Sequence, residues 1–251
     1  GGEHDYIRIK ELFVPLLKKI PRVSVNEAYQ FPSQAQFDKA DLLIQYLHQP
    51  PITAKQFASY QKFFNDGGRV VSIHESCIIR PIDRAHKLAG CIGCSWKGNK
   101  ASRWSKFSRN EPLFLNTKHP VFAGLPKSIR FNDESYWDMI QRDTVEVVGA
   151  VGTPANTEAQ SFSEVLSAKG VRGQAFWTYT SGKGRVFGMT TGHFTYTYHD
   201  PMYRLLLVRG IAWALEEKPE AFMPIVFAGI TDDKGMVGTK DTMMNYKNRK
   251  K

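Results

Sequence analysis

The stretch from Asp41 to Ile73 limits what this chain can build more than any other. Asp41-Leu42-Leu43-Ile44-Gln45-Tyr46-Leu47 is an apolar run of strand length. Thr53, with Gln56 three residues on, forms the capping box of a helix whose buried face is Phe57, Tyr60, Phe63 and Phe64. Gly67-Gly68 stops that helix, and Val70 to Ile73 is a second strand, mostly β-branched. Strand, helix and strand follow within about 30 residues, which demands a right-handed crossover and a parallel pair. The chain is therefore an α/β protein. The second strand breaks off into His74-Glu75. Ligands of open α/β sheets bind beyond the carboxyl ends of the strands, so His74 marks the expected centre of a site.

The rest of the chain suits that frame. Tyr6 to Ile20 has the apolar spacing of a helix, with Pro15 expected to kink it, and Arg22 to Val25 reads as a short strand. Ile79 to Leu88 reads as a helix, and Gly90 to Arg109 as a long loop over one face. Val145 to Val151 is a strand. Gln174 to Thr180 and Arg185 to Thr190 form a hairpin around Ser181-Gly182-Lys183-Gly184. The second hairpin strand breaks into Gly192-His193. Asp200 caps the last long helix, with Pro201 at its first position.

Composition excludes more than it assigns. The net charge of +10 comes from 34 Lys and Arg against 24 Asp and Glu, and six of those bases fall in the last eighteen residues. With no helix-turn-helix, zinc-finger or RNA-binding motif, we read the charge as surface and tail, and expect no nucleic-acid partner. No apolar run approaches the roughly 20 residues that span a bilayer, so no membrane segment is expected. Gly1-Gly2-Glu3-His4 looks like the loop after a strand, which leaves the compartment open between cytoplasm and periplasm. Homo-oligomerisation is also open. Cys91 and Cys94 form a lone Cys-x-x-Cys without the second pair of a structural zinc site, and read as small apolar residues under a helix end.

Four of the seven histidines, His4, His48, His74 and His193, stand directly after a strand or where one should end. Parallel strands bring such residues to one rim, and imidazole is the side chain best suited to proton transfer near neutral pH. His74 and His193 are the expected acid/base pair. Glu75, Asp133 and Glu134 are available to orient an imidazole or act as a base; Glu75 and Asp133 are assigned the catalytic places. The Asp133-Glu134 pair is expected to split, one acid in the site and the other bonding the backbone. Tyr136, Trp137, Tyr196 and Tyr198 are aromatic surfaces of the kind that stack on sugars, Arg185 could hold an oxyanion, and His4 joins the substrate-binding set. His48, beside two prolines, reads as structural. His119-Pro120 reads as a turn whose imidazole satisfies a backbone carbonyl. No cofactor is assigned; His4, His74 and His193 with one carboxylate would suit zinc or another divalent ion, without local ligand spacing to support it. A thiol hydrolase using Cys77 with His193 requires Cys77 to be exposed.

Gly2-x-His4-Asp5, Gly67-Gly68-x-Val70-x-x-x-His74, His119-Pro120 with Gly124-Leu125-Pro126, and Asp133-Glu134-x-Tyr136 follow one another in order. So do Gly182-x-Gly184-Arg185-Val186, Gly192-His193, Asp200-Pro201 and Gly210-Ile211-x-Trp213. In this set the chain resembles the ThuA-like (trehalose utilisation) family, over residues 1–216. The resemblance implies a flavodoxin-like fold, similar to class I glutamine amidotransferases: a three-layer sandwich around a mostly parallel sheet. It also implies a first strand before Gly1, hence a longer natural protein, and leaves 217–251 as an extension with a basic tail. An amidotransferase carries a cysteine on the elbow where this chain has His74, so glutamine hydrolysis is not implied. Relatives carry a histidine soon after the position of Gly90, which this chain lacks. The resemblance points to a small-molecule carbohydrate, trehalose or a related disaccharide in keto form, and to isomerase, lyase or hydrolase chemistry without a redox cofactor. The alternative is a non-catalytic sugar-binding or scaffold domain.

Overall fold

The computed structural model describes residues 4–29, 31–49, 51–152, 161–167, 173–228, 231–232 and 235–236. Asp5 accepts the backbone N–H of Arg8 and starts helix α1 (Tyr6–Leu17), which continues through Pro15. Arg22 to Val25 is not a strand; Val23 and Val25 pack against the core from irregular backbone. The one-turn helix α2 (Gln34–Phe37) leads to β1 (Leu42–Tyr46), the boxed helix α3 (Ala54–Asn65) and β2 (Arg69–Ile73). The expected helix at 79–88 begins later: one 3-10 turn at Ile82–Arg84 feeds α4 (Ala85–Ile92).

Residues 90–109 are not a plain loop. They carry β3 (Cys94–Ser95) and β4 (Arg103–Phe107). Next come β5 (Leu113–Leu115), β6 (Ser128–Ile129), β7 (Asp133–Trp137), β8 (Ile140–Gln141) and β9 (Glu146–Val151). Helix α5 (Phe162–Ser167) precedes the hairpin of β10 (Gly173–Ser181) and β11 (Gly184–Met189). Helix α6 (Pro201–Leu215) is capped by Asp200, which accepts the N–H groups of Met202 and Tyr203. Two short strands, β12 (Thr231–Asp232) and β13 (Gly235–Met236), pair with each other.

The central sheet has nine strands, in the order β1-β2-β11-β10-β9-β5-β6, with β7 on β10 and β4 on β7. β1, β2 and β11 are parallel. All other pairs in the sheet are antiparallel. The sheet is thus mixed, with its parallel part confined to the three strands after which His48, His74 and His193 stand.

Period-two alternation along β2 separates two cores. Val71 and Ile73 join Phe187 and Met189 of β11 under Ile9 and Phe13 of α1 and Leu206, Leu207 and Ile211 of α6. Val70 and Val186 face Phe57, Phe63 and Phe64 of α3 and Leu88 and Ile92 of α4. The result is helix, sheet, helix. Helix α6 lies so close over β11 that a Cβ on Gly210 would stand 2.0 Å from the Phe187 ring. Residues past 216 are partly core: Phe222, Ile225 and Val226 are buried on the α6 side, and buried Arg204 donates to the carbonyls of Tyr198, Ile225 and Ala228. The expected basic tail beyond 236 lies outside the described residues. Among those described, no helix is long and apolar enough to cross a membrane.

Candidate active site

Each of the three imidazoles is delivered by a chain break after, or against, a parallel strand. His74 follows β2 and opens a 3-10 turn, His74–Cys77, with φ of +54°. Ser76 anchors that turn to the end of β1: its hydroxyl donates to the Gln45 carbonyl and accepts the Leu47 N–H. His193 follows β11 by way of Gly192. A Cβ on Gly192 would lie 2.7 Å from the Tyr203 hydroxyl and 2.9 Å from Ile73, and its φ is +111°, so only glycine fits the bend. His4, at φ +51°, precedes α1, and its N–H donates to the His193 carbonyl at 3.2 Å. Left-handed backbone is costly for non-glycine residues, and here it recurs at His4, Gln49 and His74.

The rings converge. His74 Nε2 lies 3.1 Å from His4 Nε2 and 3.1 Å from His193 Nδ1. The Thr190 carbonyl, 2.7 Å from His74 Nδ1, assigns the ring proton to that nitrogen and leaves the Nε2 lone pair facing its two neighbours. The Tyr136 hydroxyl is 3.2 Å from the same ring. Burial, with repulsion from His193 and His4, pushes His74 down to about 3. Glu134 completes the cluster, 3.5 Å from His193 Nδ1 and 4.0 Å from His74 Nε2. Burial and the neighbouring Asp133 push its carboxyl up to about 8.

A second acid lies on the solvent side. Glu75 accepts from the Tyr6 hydroxyl at 2.9 Å and Gln49 at 3.2 Å, is bonded to His48, and stands 3.8 Å from His4. Burial alone would raise Glu75, but the bonds from His48 and Gln49, the charge of His4 and the Tyr6 bond outweigh it and leave it lowered. His48 and His4 are the open side, their side chains 56% and 32% exposed, against 0% for His74.

Several expectations need correction. The two acids of β7 do split, but the site acid is Glu134. Strand alternation turns Asp133 to the other face, where Oδ1 accepts the N–H groups of Glu134, Gly192 and His193. Burial pushes Asp133 up to about 6 against those bonds and one from Thr197. Asp133 therefore sets the position of His193 and does not face the imidazoles. Trp137 shares its face, while Tyr136 shares that of Glu134. Arg185 stands at the start of β11, level with Arg69, at the opposite end of the strand from His193. It bonds the Trp213 carbonyl and Glu216 and lies over the Trp213 ring. Tyr196 stacks at 4.8 Å on Phe194, whose ring meets His193 edge-on at 4.4 Å, so it is one ring removed from the cluster. Tyr198 is fully buried in the core on the α6 side. His48, read as structural, belongs to the site; its position after β1 was the available signal. Tyr6, in the first turn of α1, gave none. His119 accepts the Val121 N–H rather than bonding a carbonyl. Cys77 is fully buried, which removes the thiol-hydrolase reading, and burial pushes its thiol up. Cys91 and Cys94 are buried free thiols at the end of α4.

The family described as ThuA, trehalose utilisation, matches residues 1–214. The chain belongs to the ThuA family. Two ThuA-like crystal structures share its fold. That from Bacteroides uniformis is 17% identical with a TM-score of 0.61, and that from Parabacteroides merdae is 16% identical with a TM-score of 0.60. Each covers 93% of this chain and 89% of its own. A cytoplasmic protein of Salmonella typhimurium is similar at 14% identity and a TM-score of 0.53, covering 82% of this chain and 86% of its own. A search of curated proteins finds no match. Membership in ThuA ties the chain to trehalose utilisation as a family, and the solved structures speak for the fold.

Proposed function

We propose that this ThuA protein is an enzyme of disaccharide catabolism that does acid–base chemistry on a trehalose-like sugar in keto form. The observation that supports this reading is the meeting of His4, His74 and His193 with Glu134 at the carboxyl ends of β2 and β11. A keto sugar has acidic C–H bonds beside its carbonyl. His74 and His193 stand at the reacting oxygen, and the His48–Glu75 pair and Glu134 carry the protons. His48, oriented by Glu75 at the open side, takes the C–H proton. In isomerisation the electron pair moves onto the carbonyl and Glu134 protonates that oxygen to give an enediol. The neighbouring hydroxyl then returns a proton to Glu134 as its oxygen becomes the new carbonyl, and the proton on His48 goes to the former carbonyl carbon. In elimination the pair forms a C=C bond as the glycosidic C–O bond breaks, and Glu134 protonates the departing oxygen. Atoms and charge balance without a redox cofactor.

The test is turnover of keto-disaccharides by the full chain and by His48→Ala, Glu134→Gln, His74→Ala and His193→Ala. His48→Ala and Glu134→Gln are each expected to lose at least about 100-fold in kcat/KM, the usual worth of a positioned acid or base, and the two variants at the reacting oxygen should fall as well. Unchanged turnover in His74→Ala and His193→Ala, or in His48→Ala and Glu134→Gln, ends the proposal. Calorimetric sugar binding with no product from the wild type would favour a binding domain instead.

A further inference from the structure

We propose that His4 Nε2, His74 Nε2 and His193 Nδ1 together hold a divalent cation of the zinc class, with Glu134 as the facing carboxylate. Any part of that ion in turnover rests on the carbohydrate reading above; its binding does not.

Distance is the first argument. His74 Nε2 is 3.1 Å from each partner nitrogen, and all three nitrogens lie within 4.8 Å of one another. Metal–nitrogen bonds of about 2.0–2.1 Å in tetrahedral array hold neighbouring ligand nitrogens about 3.3 Å apart. Two of the three edges are within a few tenths of an ångström of such a cage, and the third is no longer than 4.8 Å.

Lone-pair counting is the second. The Thr190 carbonyl commits His74 Nδ1 as a donor, which leaves Nε2 a single lone pair. Two ring nitrogens at 3.1 Å and the Tyr136 hydroxyl at 3.2 Å all approach that one lone pair. A cation at the centre would take one lone pair from each of the three rings. The bond from Nδ1 to a backbone carbonyl is also the outer contact that metal-bound histidines ordinarily make.

The surroundings agree. Glu134 and Glu75 put carboxylate oxygens 3.5–4.0 Å from the three nitrogens. Two ligands are buried and fixed, and the third, His4, borders solvent, so an ion has an entry path and three protein ligands leave a position for a substrate oxygen. A nitrogen and carboxylate set without thiolate suits zinc and also manganese, cobalt or nickel. A second trio, His4, His48 and Glu75, lies equally close together. There His48 and Glu75 already bond each other, so an ion would have to part a satisfied pair.

The experiment strips the full chain with a chelator and titrates it with Co2+, following ligand-field absorption and heat. One ion per chain is expected, displaced by zinc. His74→Ala and His193→Ala should each weaken binding by more than the roughly 10–100-fold that loss of an outer contact costs. His48→Ala should leave it unchanged. If His74→Ala does not fold by circular dichroism, His4→Ala, on the open side, takes its place. The proposal is overturned if the folded wild type binds no cobalt, zinc or manganese, if the cluster variants bind like wild type, or if His48→Ala abolishes binding. Cobalt binding without turnover of any keto-disaccharide removes the carbohydrate reading and leaves this site standing. Full turnover by a stripped chain that binds no ion does the reverse.

Discussion

His74 holds its ring in place at the cost of its backbone. At φ +54° a Cβ is crowded against the following carbonyl, a penalty glycine escapes. Two substitutions that both delete the ring therefore differ only in backbone fit. His74→Gly should be more stable than His74→Ala by about 1 kcal/mol, the reverse of the order expected at an ordinary strand end. Urea denaturation of the two variants measures the difference; equal midpoints would mean the left-handed turn does not persist in solution. At this scale His74 and His193 were legible because each stands just past an apolar strand run, whereas His4, after Gly1-Gly2-Glu3, has no such run before it. The acids were not: choosing between Asp133 and Glu134 needs the face each occupies, and that depends on the β7–β10 and β4–β7 pairings, which bring together residues far apart in sequence. Arg185 was misplaced for a related reason. Its strand was recognised, but the end at which it stands follows from the direction in which β11 runs beside β2.

Among elements, the turn before α6 carries a pH dependence of its own. His199 closes the 3-10 turn Thr195–His199. Burial, with Arg204 and Arg8 nearby, lowers its pKa. The unfolded chain takes a proton on this ring near pH 6.5 while the folded chain resists it. Stability associated with neutral His199 is therefore present above about pH 6.5 and lost as pH falls towards the lowered folded pKa. Thermal melts between neutral pH and about pH 5 should show a shallower fall for His199→Asn than for wild type. Parallel curves would remove His199 as a source. Elements defined by local signals were readable: the Thr53/Gln56 capping box of α3, the Asp200-Pro201 start of α6 and the β10–β11 hairpin. β3 and β4 were not, because their partners β8 and β7 lie far along the chain, Phe107 pairing with Asp133 and Cys94 with Gln141, and leave no local period in residues 94–107.

For the molecule as a whole, the domain does not stop where the family match does. The match ends at residue 214, yet Phe222, Ile225 and Val226 are buried on the α6 face. Phe222→Ala should cost about 3–5 kcal/mol in chemical denaturation, as for other buried phenylalanines. A loss below about 0.5 kcal/mol, typical of a surface change, would make 219–226 an ornament. One crossover unit made the α/β class and a parallel pair legible, and the resemblance to the ThuA-like family supplied the three layers. The antiparallel half of the sheet was only hinted at by the hairpin, since its remaining pairings join distant segments.

The bond from the His4 N–H to the His193 carbonyl ties the first described residues to the far end of β11. Nothing short of the closed domain puts those three rings side by side. A nascent or half-unfolded chain carries only scattered imidazoles, so the same closure that ends folding also assembles the cluster.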